Sequence, residues 1–284
     1  MVVPLPAKAK RAIKGRLKQM RLRYSRWRHA FDAEALGACL GRLGVRRGDV
    51  LFVHCAYDRF MGFTGKPSDI IGVLQRVVGP AGSVLMPTIP FSGTATDYVK
   101  DDPIFDVLRT PSRMGILSEL FRRMPGVPRS VHPTHSVAAW GGRAEALIAD
   151  HHRAGTPCGA GSPYQRLIDE GGQILFLGTG IEPMTVFHAA EEALEPQMPF
   201  SPFSAQSYRL LSRTKNGELV ETHTRLFDGA VSRRRNLLKL VPVLKRRGLW
   251  REARLGGLQI ILLDAAAVMG ALRAMATEGS YCYD

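Results

Sequence analysis

Short apolar runs separated by helix-period segments constrain this chain more than any other feature. Val50-Leu-Phe-Val-His54, Ser83-Val-Leu-Met86 and Gln173-Ile-Leu-Phe-Leu-Gly178 each end in turn residues and read as buried strands. Helical patterns lie between them. Asp32 caps one running toward Leu43, which Gly44 ends. Ser68 or Asp69 caps another toward Val78, and further helices read at Ser112 to Met124, Arg143 to His152, from Ser162-Pro163, and at Thr185 to Leu194. Val131 to Trp140 is strand-like around a turn at His132-Pro133. Tyr208 to Ser212 and Leu219 to His223 read as a hairpin about Asn216-Gly217. The stretch from Ser232 to Met275 reads as helical, and Pro87 to Thr110 as a long irregular connection with four Asp. Helices alternating with short strands predict an α/β fold around a central sheet.

Charge divides the chain. The 39 Lys and Arg against 25 Asp and Glu leave a formal charge of +14. Ten of those bases fall in the first thirty residues, and no acid precedes Asp32. Ile13, Leu17, Met20, Tyr24 and Trp27 recur there at helical spacing, which gives a narrow apolar stripe and a wide cationic face. A basic amphipathic arm over residues 1–31 is expected, with the rest of the protein over 32–284. The arm reads either as a dock for an anionic membrane or another polyanion, or as a helix packed on the body with its charges solvated. The near-balance of the body argues against general nucleic-acid coating. The four cysteines are scattered, and with no apolar segment after the basic start the expected compartment is cytoplasmic, membrane-peripheral if the arm docks.

Three places could carry chemistry. His54, Cys55 and Tyr57 follow the strand Val50 to His54, at the carboxyl edge where open sheets tend to bind ligands. Cys55 lacks any protease context and reads as a small buried thiol. Arg129-Ser-Val-His-Pro-Thr-His-Ser136 gathers a cation, hydroxyls and two imidazoles around one proline, donors suited to a phosphate or an amide chain. In Thr185-Val-Phe-His188-Ala-Ala-Glu191, residues three apart share a helical face. A carboxylate beside an imidazole orients it and raises its basicity, as a general base requires, although Thr185 could merely cap the helix. His151-His152 reads as a solvated helix end, and His223 as structural. No metal-ligand spacing, GxGxxG or P-loop occurs.

Taken together these segments resemble the aminoglycoside 3-N-acetyltransferase family. The resemblance rests on Gly48 to His54, Val78-Gly-Pro-Ala-Gly-Ser-Val-Leu-Met-Pro-Thr88, Thr110-Pro-Ser-Arg-Met-Gly115, Arg129 to Ser136, Gly161-Ser-Pro163, and Thr185-x-x-His188-x-x-Glu191, in family order over roughly 32 to 200. It implies a three-layer α/β/α sandwich around a mixed sheet and acetyl transfer from acetyl-CoA, without a metal, to the amine of a small-molecule amino sugar. His188 would be the base, with Glu191 or the weaker Asp228 as its orienter and Thr185 beside it. His54, Cys55, Thr110, Met114, Gly115, Arg129, Ser130, His132 and Ser136 would serve the CoA arm. A homodimer is a further expectation.

The acceptor is where the chain departs from the family. Members acting on polycationic drugs present carboxylates after the second hairpin, where this chain has Ser232-Arg-Arg-Arg235. A like charge about 4 Å away costs about 4 kcal/mol at an effective dielectric of about 20. The expected acceptor is therefore neutral or anionic, such as an amino sugar on a nucleotide, lipid or polysaccharide, and nucleic acid itself is not a partner. Asp97, Asp101, Asp102 and Asp106 stand as counter-evidence. The alternatives are a true aminoglycoside acetyltransferase, an antibiotic-resistance activity, and a non-catalytic polyanion-binding protein on the same fold.

Overall fold

The computed structural model describes residues 13, 15–17, 20, 24 and 30–284. Most of the expected basic arm over 1–31 lies outside the described residues. Among the described residues no helix is long and apolar enough to cross a membrane.

The body is built on a six-stranded mixed sheet. Along the chain run α1 (Ala33–Leu43), β1 (Val50–Cys55), α2 (Pro67–Val78), β2 (Ser83–Pro87), α3 (Ala95–Tyr98), β3 (Phe105–Asp106), α4 (Ile116–Phe121), β4 (Val137–Gly141), α5 (Ala144–Ile148), α6 (Pro163–Asp169), β5 (Gln173–Leu177) and α7 (Phe187–Leu194). Then follow β6 (Phe203–Arg213), β7 (Leu219–Phe227), α8 (Gly229–Arg233), α9 (Leu240–Arg246), β8 (Arg251–Leu255), β9 (Leu258–Asp264) and α10 (Ala265–Thr277). The order across the sheet is β4-β2-β1-β5-β9-β8, with β1 parallel to β2 and β5 and the outer pairs antiparallel.

Alternation along each strand assigns side chains to two cores. Phe52, Leu85, Ile174, Phe176, Ile261 and Leu263 face one layer, with Leu147, Tyr164, Leu167, Leu240, Leu244 and Leu272 from the helices. Leu51, Val53, Val84, Leu175, Leu177 and Leu262 face the other, against Leu36 and Leu40 of α1, Ile70 and Leu74 of α2, and Phe121 of α4. This is the expected α/β/α sandwich. α1 is capped as its sequence requires: Asp32 accepts from Ala35 N at 2.9 Å, and Gly44 ends the helix at φ +111°. In α2 the cap position is Lys66 and Pro67 is the first helical residue, so neither Ser68 nor Asp69 is the cap; the Asp69 carboxylate accepts from Lys66 N at 2.7 Å. The β6–β7 hairpin is longer than the sequence suggests and joins β3 in a separate three-stranded sheet.

One expectation fails outright. Ser232 to Met275 is not continuously helical, because it contains the β8–β9 hairpin about Gly256-Gly257. Leu258 to Leu263 is a buried strand, and a buried strand has no polar face to reveal its period. Asp264 ends β9 and caps α10, accepting from Ala267 N at 2.7 Å.

Candidate active site

The sheet places two loops side by side. The register pairs Cys55 with Leu177, so β1 and β5 end level, and Ala56 N donates to Leu177 O at 3.0 Å. The chain leaves β1 for β2 on one side and returns as β5 on the other. That reversal of strand order opens a crevice at the carboxyl ends. Gly178 lets the two loops approach. It sits at φ +73°, and a Cβ there would lie 2.8 Å from Arg59 Cβ and 3.0 Å from Ala56 O.

A cleft of about 530 Å³ opens beside the β5 loop, lined by Met114, Glu182, Thr185, His188, Arg235 and Asn236 among others. A second, of about 520 Å³, lies between the β1 loop and the start of α4, lined by Cys55, Tyr57, Phe60, Gly62, Phe63 and Gly115. A third, of about 640 Å³, shares Asp58 with the second and Glu182 with the first. The three lie side by side, with Asp58 and Glu182 on the walls they share. Sequence reasoning passed over Asp58 and Glu182 because neither belongs to a spaced motif.

His188 stands on the first turn of α7. Its Nδ1 bonds Glu191 Oε2, which leaves the Nε2 lone pair for chemistry. Its ring packs 4.6 Å from Phe227. Burial lowers its basicity and the Arg235 charge lowers it further, against the opposing pull of Glu191. The imidazole is therefore neutral near neutral pH, as a base must be before it takes a proton. Glu191 is buried yet held below the usual carboxylate range, because His188 and Arg235 outweigh the desolvation that raises it. The adjacent Glu192 is pushed up to about 8, chiefly by burial, although Thr156 Oγ1 and Cys158 N donate to it. Neighbouring carboxylates driven apart in this way mark a division of roles.

Thr185 does not cap α7, whose cap position is Val186. Its hydroxyl is buried, within reach of the Tyr164 phenol, and the residue lines the cleft. Asp228 is not an orienter of His188. Its carboxylate caps α8, accepting from Ala230 N at 2.8 Å and Val231 N at 2.9 Å.

Among the residues expected along the CoA arm, Cys55 and Gly115 line the second cleft and Met114 the first. Burial pushes the Cys55 thiol up to about 12, so it is no nucleophile. His54 is buried and stacked on Phe176 at 5.1 Å, and burial pulls it down to about 3.

The turn from Arg129 to Ser136 contradicts expectation, because its donors are spent inside the protein. Arg129 donates to Thr88 Oγ1, Ser136 Oγ and the carbonyls of Thr88 and Thr110, and lies over the Phe105 ring. Thr110 is tied in further through its hydroxyl, which accepts from Asp106 N. Ser130 bonds His151, and His132 stacks on His151 at 4.4 Å. His132 and Ser136 are fully buried, as is His151, which is therefore not a solvated helix end. His223 is exposed in the hairpin beside Glu221.

The arginine run is not a repulsive block either. Arg235 is paired with Glu191 at 2.6 Å. Arg234 lies over Phe200 and donates to Asp284 O, and Arg233 is exposed, near enough to Asp97 to feel its charge. Asp97 is itself held by Lys100 and Thr94, and Asp106 caps its own turn. Among the described residues no group of three His, Cys, Asp or Glu could hold a metal ion.

A family model described as aminoglycoside 3-N-acetyltransferase matches residues 52–277. Aminoglycoside N(3)-acetyltransferase III of Salmonella sp is 30% identical over 199 residues, covering 66% of this chain and 68% of that enzyme. The enzyme of the same name from Serratia marcescens is 32% identical over 170 residues, 56% of this chain, and the match spans 63% of that enzyme's length. Among solved structures, aminoglycoside acetyltransferase AAC(3)-Xa superposes with a TM-score of 0.76 at 28% identity, over 93% of this chain and 98% of that one. AAC-IIIb in a binary complex with CoASH gives 0.74 at 26%, over 89% and 99%. A mutant of AAC(3)-IVa in complex with a gentamicin gives 0.73 at 26%, over 89% and 91%.

Proposed function

We propose, because this chain belongs to the aminoglycoside 3-N-acetyltransferase family, that it moves the acetyl group of acetyl-CoA onto a primary amine of an aminoglycoside. The observation that carries the reading is the His188–Glu191 pair at the open cleft beside β5. Acetyl-CoA would supply the activated carbonyl of its thioester. His188 Nε2 accepts the proton of the attacking nitrogen, a C–N bond forms, the C–S bond breaks, and the CoA sulfur takes that proton back from the imidazolium and leaves as the thiol. Glu191 holds Nδ1–H and stabilises the imidazolium that results. Thr185 lines the same cleft, and its hydroxyl is the side-chain donor we assign to the developing oxyanion. The narrow, glycine-bordered cleft between the β1 loop and Gly115 suits the pantetheine arm, whose amides need backbone partners.

A cationic aminoglycoside replaces the neutral or anionic acceptor expected from the arginine run. The premise of that expectation fails where Arg235 is neutralised by Glu191 and Arg234 is turned onto Phe200. Asp58 and Glu182 line the crevice together with Arg59 and Arg254, and the related AAC(3)-IVa is known in complex with a gentamicin. An intact base and orienter also speak against the non-catalytic alternative. The test is a panel of amines incubated with acetyl-CoA and followed by free thiol release. Turnover is expected with gentamicin-type drugs and not with nucleotide-linked amino sugars. Turnover with the latter alone, or with nothing, overturns the reading.

A further inference from the structure

The carboxylate that orients His188 is itself held by two residues far away in the chain. Glu191 Oε2 serves His188, while Oε1 accepts from Arg235 Nε at 2.6 Å and from the Tyr283 hydroxyl. The fit is close: Glu191 is 2% exposed, and its carboxylate has donors on both oxygens. Arg235 lies over the Phe227 ring that also packs on His188.

Tyr283 is fixed with comparable care. Its ring meets Phe200 edge-on at 4.9 Å, and its backbone forms a β-bridge with Arg235. Asn236 N donates to Cys282 O at 2.8 Å, Asp284 N donates to Arg234 O at 2.8 Å, and Lys239 reaches Tyr283 O and the Asp284 carboxylate. Segments 234–239 and 282–284 thus form one clamp, with Glu191 between the two side chains it presents. A peripheral stitch of this kind would not need a half-buried arginine and a buried phenol converging on one carboxylate oxygen.

We propose that Arg235 and Tyr283 are positioning residues which, through Glu191, fix the tautomer and set the basicity of His188. The inference rests on the reading of His188 as the base. The other titratable groups around the pair are His54 from β1, His135 from the turn before β4, Cys158, Cys282 and Glu192. Burial keeps the two histidines and two thiols neutral, and Glu192 is occupied by Thr156 and Cys158 N. Among these groups Arg235 brings the positive charge and Tyr283 a neutral donor, since burial and Glu191 raise its phenol.

The direction of the effect follows. With Oε1 held, part of the carboxylate's charge is drawn away from the imidazole. Removing either donor returns that charge to His188, favours the imidazolium and raises the pH at which the base becomes neutral. It also frees the carboxylate to turn, which misaligns Nε2.

The experiment compares Tyr283→Phe, Arg235→Met and Arg235→Lys with the parent protein by two readouts. Nitrogen-15 spectra of histidine-labelled protein follow the titration of His188, identified by the resonance missing in His188→Gln. Acetyl transfer gives the pH profile of kcat/KM. The parent is expected to show Nδ1–H and a titration below 6.5. In Tyr283→Phe and Arg235→Met the titration and the acid limb move upward together, kcat falls roughly tenfold and KM for acetyl-CoA holds. Arg235→Lys, which keeps the charge, recovers the titration in part. Phe preserves the ring packing of Tyr283, so that variant is expected to fold. Unchanged His188 titration in both Tyr283→Phe and Arg235→Met overturns the proposal, whatever happens to turnover. If the parent transfers acetyl to no amine while the titration shifts as expected, the functional reading fails and the positioning role stands.

Discussion

Two regions of this molecule carry nearly the same chemical inventory. The turn Arg129 to Ser136 has a guanidinium, hydroxyls and imidazoles, and so does the surrounding of Thr185 to Glu191 once Arg235 is counted. The first is closed off from the crevice at the strand ends, although Arg129, Ser130 and Val131 border a separate cavity of about 300 Å³. His132 has no exposed surface, and Arg129 spends its donors on carbonyls and hydroxyls. The second opens on a cleft, with the His188 side chain 16% exposed and a buried carboxylate behind it. What separates a site from a buried polar network is access to the cleft and a carboxylate partner. Residue type does not distinguish them.

That contrast can be broken at either end. The largest effect is expected from His188→Ala. It should cost roughly a thousandfold in kcat, about 4 kcal/mol of barrier, with acetyl-CoA binding kept and little change in thermal unfolding. Near-normal turnover in that variant would remove the base. Arg129→Met should do the reverse. It strands the Thr110 carbonyl, leaves Thr88 O with Ser136 Oγ as its side-chain donor, and should lower stability by about 3 kcal/mol in denaturant titration. The enzyme that remains folded should keep its pH profile.

The smallest effect per group and per pH unit is on acid stability. Burial depresses His54 and His151 to about 3, and His132 and His135 are lowered well below 6.5. The unfolded chain therefore takes up protons near 6.5 that the folded chain refuses. Stability is full above that pH and falls as pH drops toward 3, by about 1.4 kcal/mol per group per pH unit. Melting temperature should decline steeply between pH 6 and 4, and replacing His132 with Gln, where it folds, should flatten the slope. A Tm independent of pH across that range would mean the sealed imidazoles are not neutral in the native state.

Much of this was legible in the sequence. The strands β1, β2 and β5 appear as short apolar runs with turn residues at their ends, and His188 and Glu191 share a helical face by spacing alone. Other parts were hidden for physical reasons. In the β8–β9 hairpin, β9 is an apolar run whose burial on both faces erases any period, and β8 is a short charged edge strand. The sealing of His132 and His151 depends on stacking between segments about twenty residues apart. Arg235 and Tyr283 reach Glu191 from 44 and 92 residues away. No local pattern reports such a meeting, and in a run of three arginines nothing marks the one that turns inward.

The register of β1 carries a consequence for how the chain is made. Leu51 lies opposite Gln173, and the loops that build the crevice come from the far ends of those two strands. A ribosome that has emitted only the first half of the chain has therefore exposed β1 with one edge unpaired and no crevice beside it. Closing the sheet waits for β5, and completing the layer beyond it waits for β9. Such long-range pairing makes folding slow and leaves a sticky intermediate on the way. The catalytic crevice is among the last features this protein acquires.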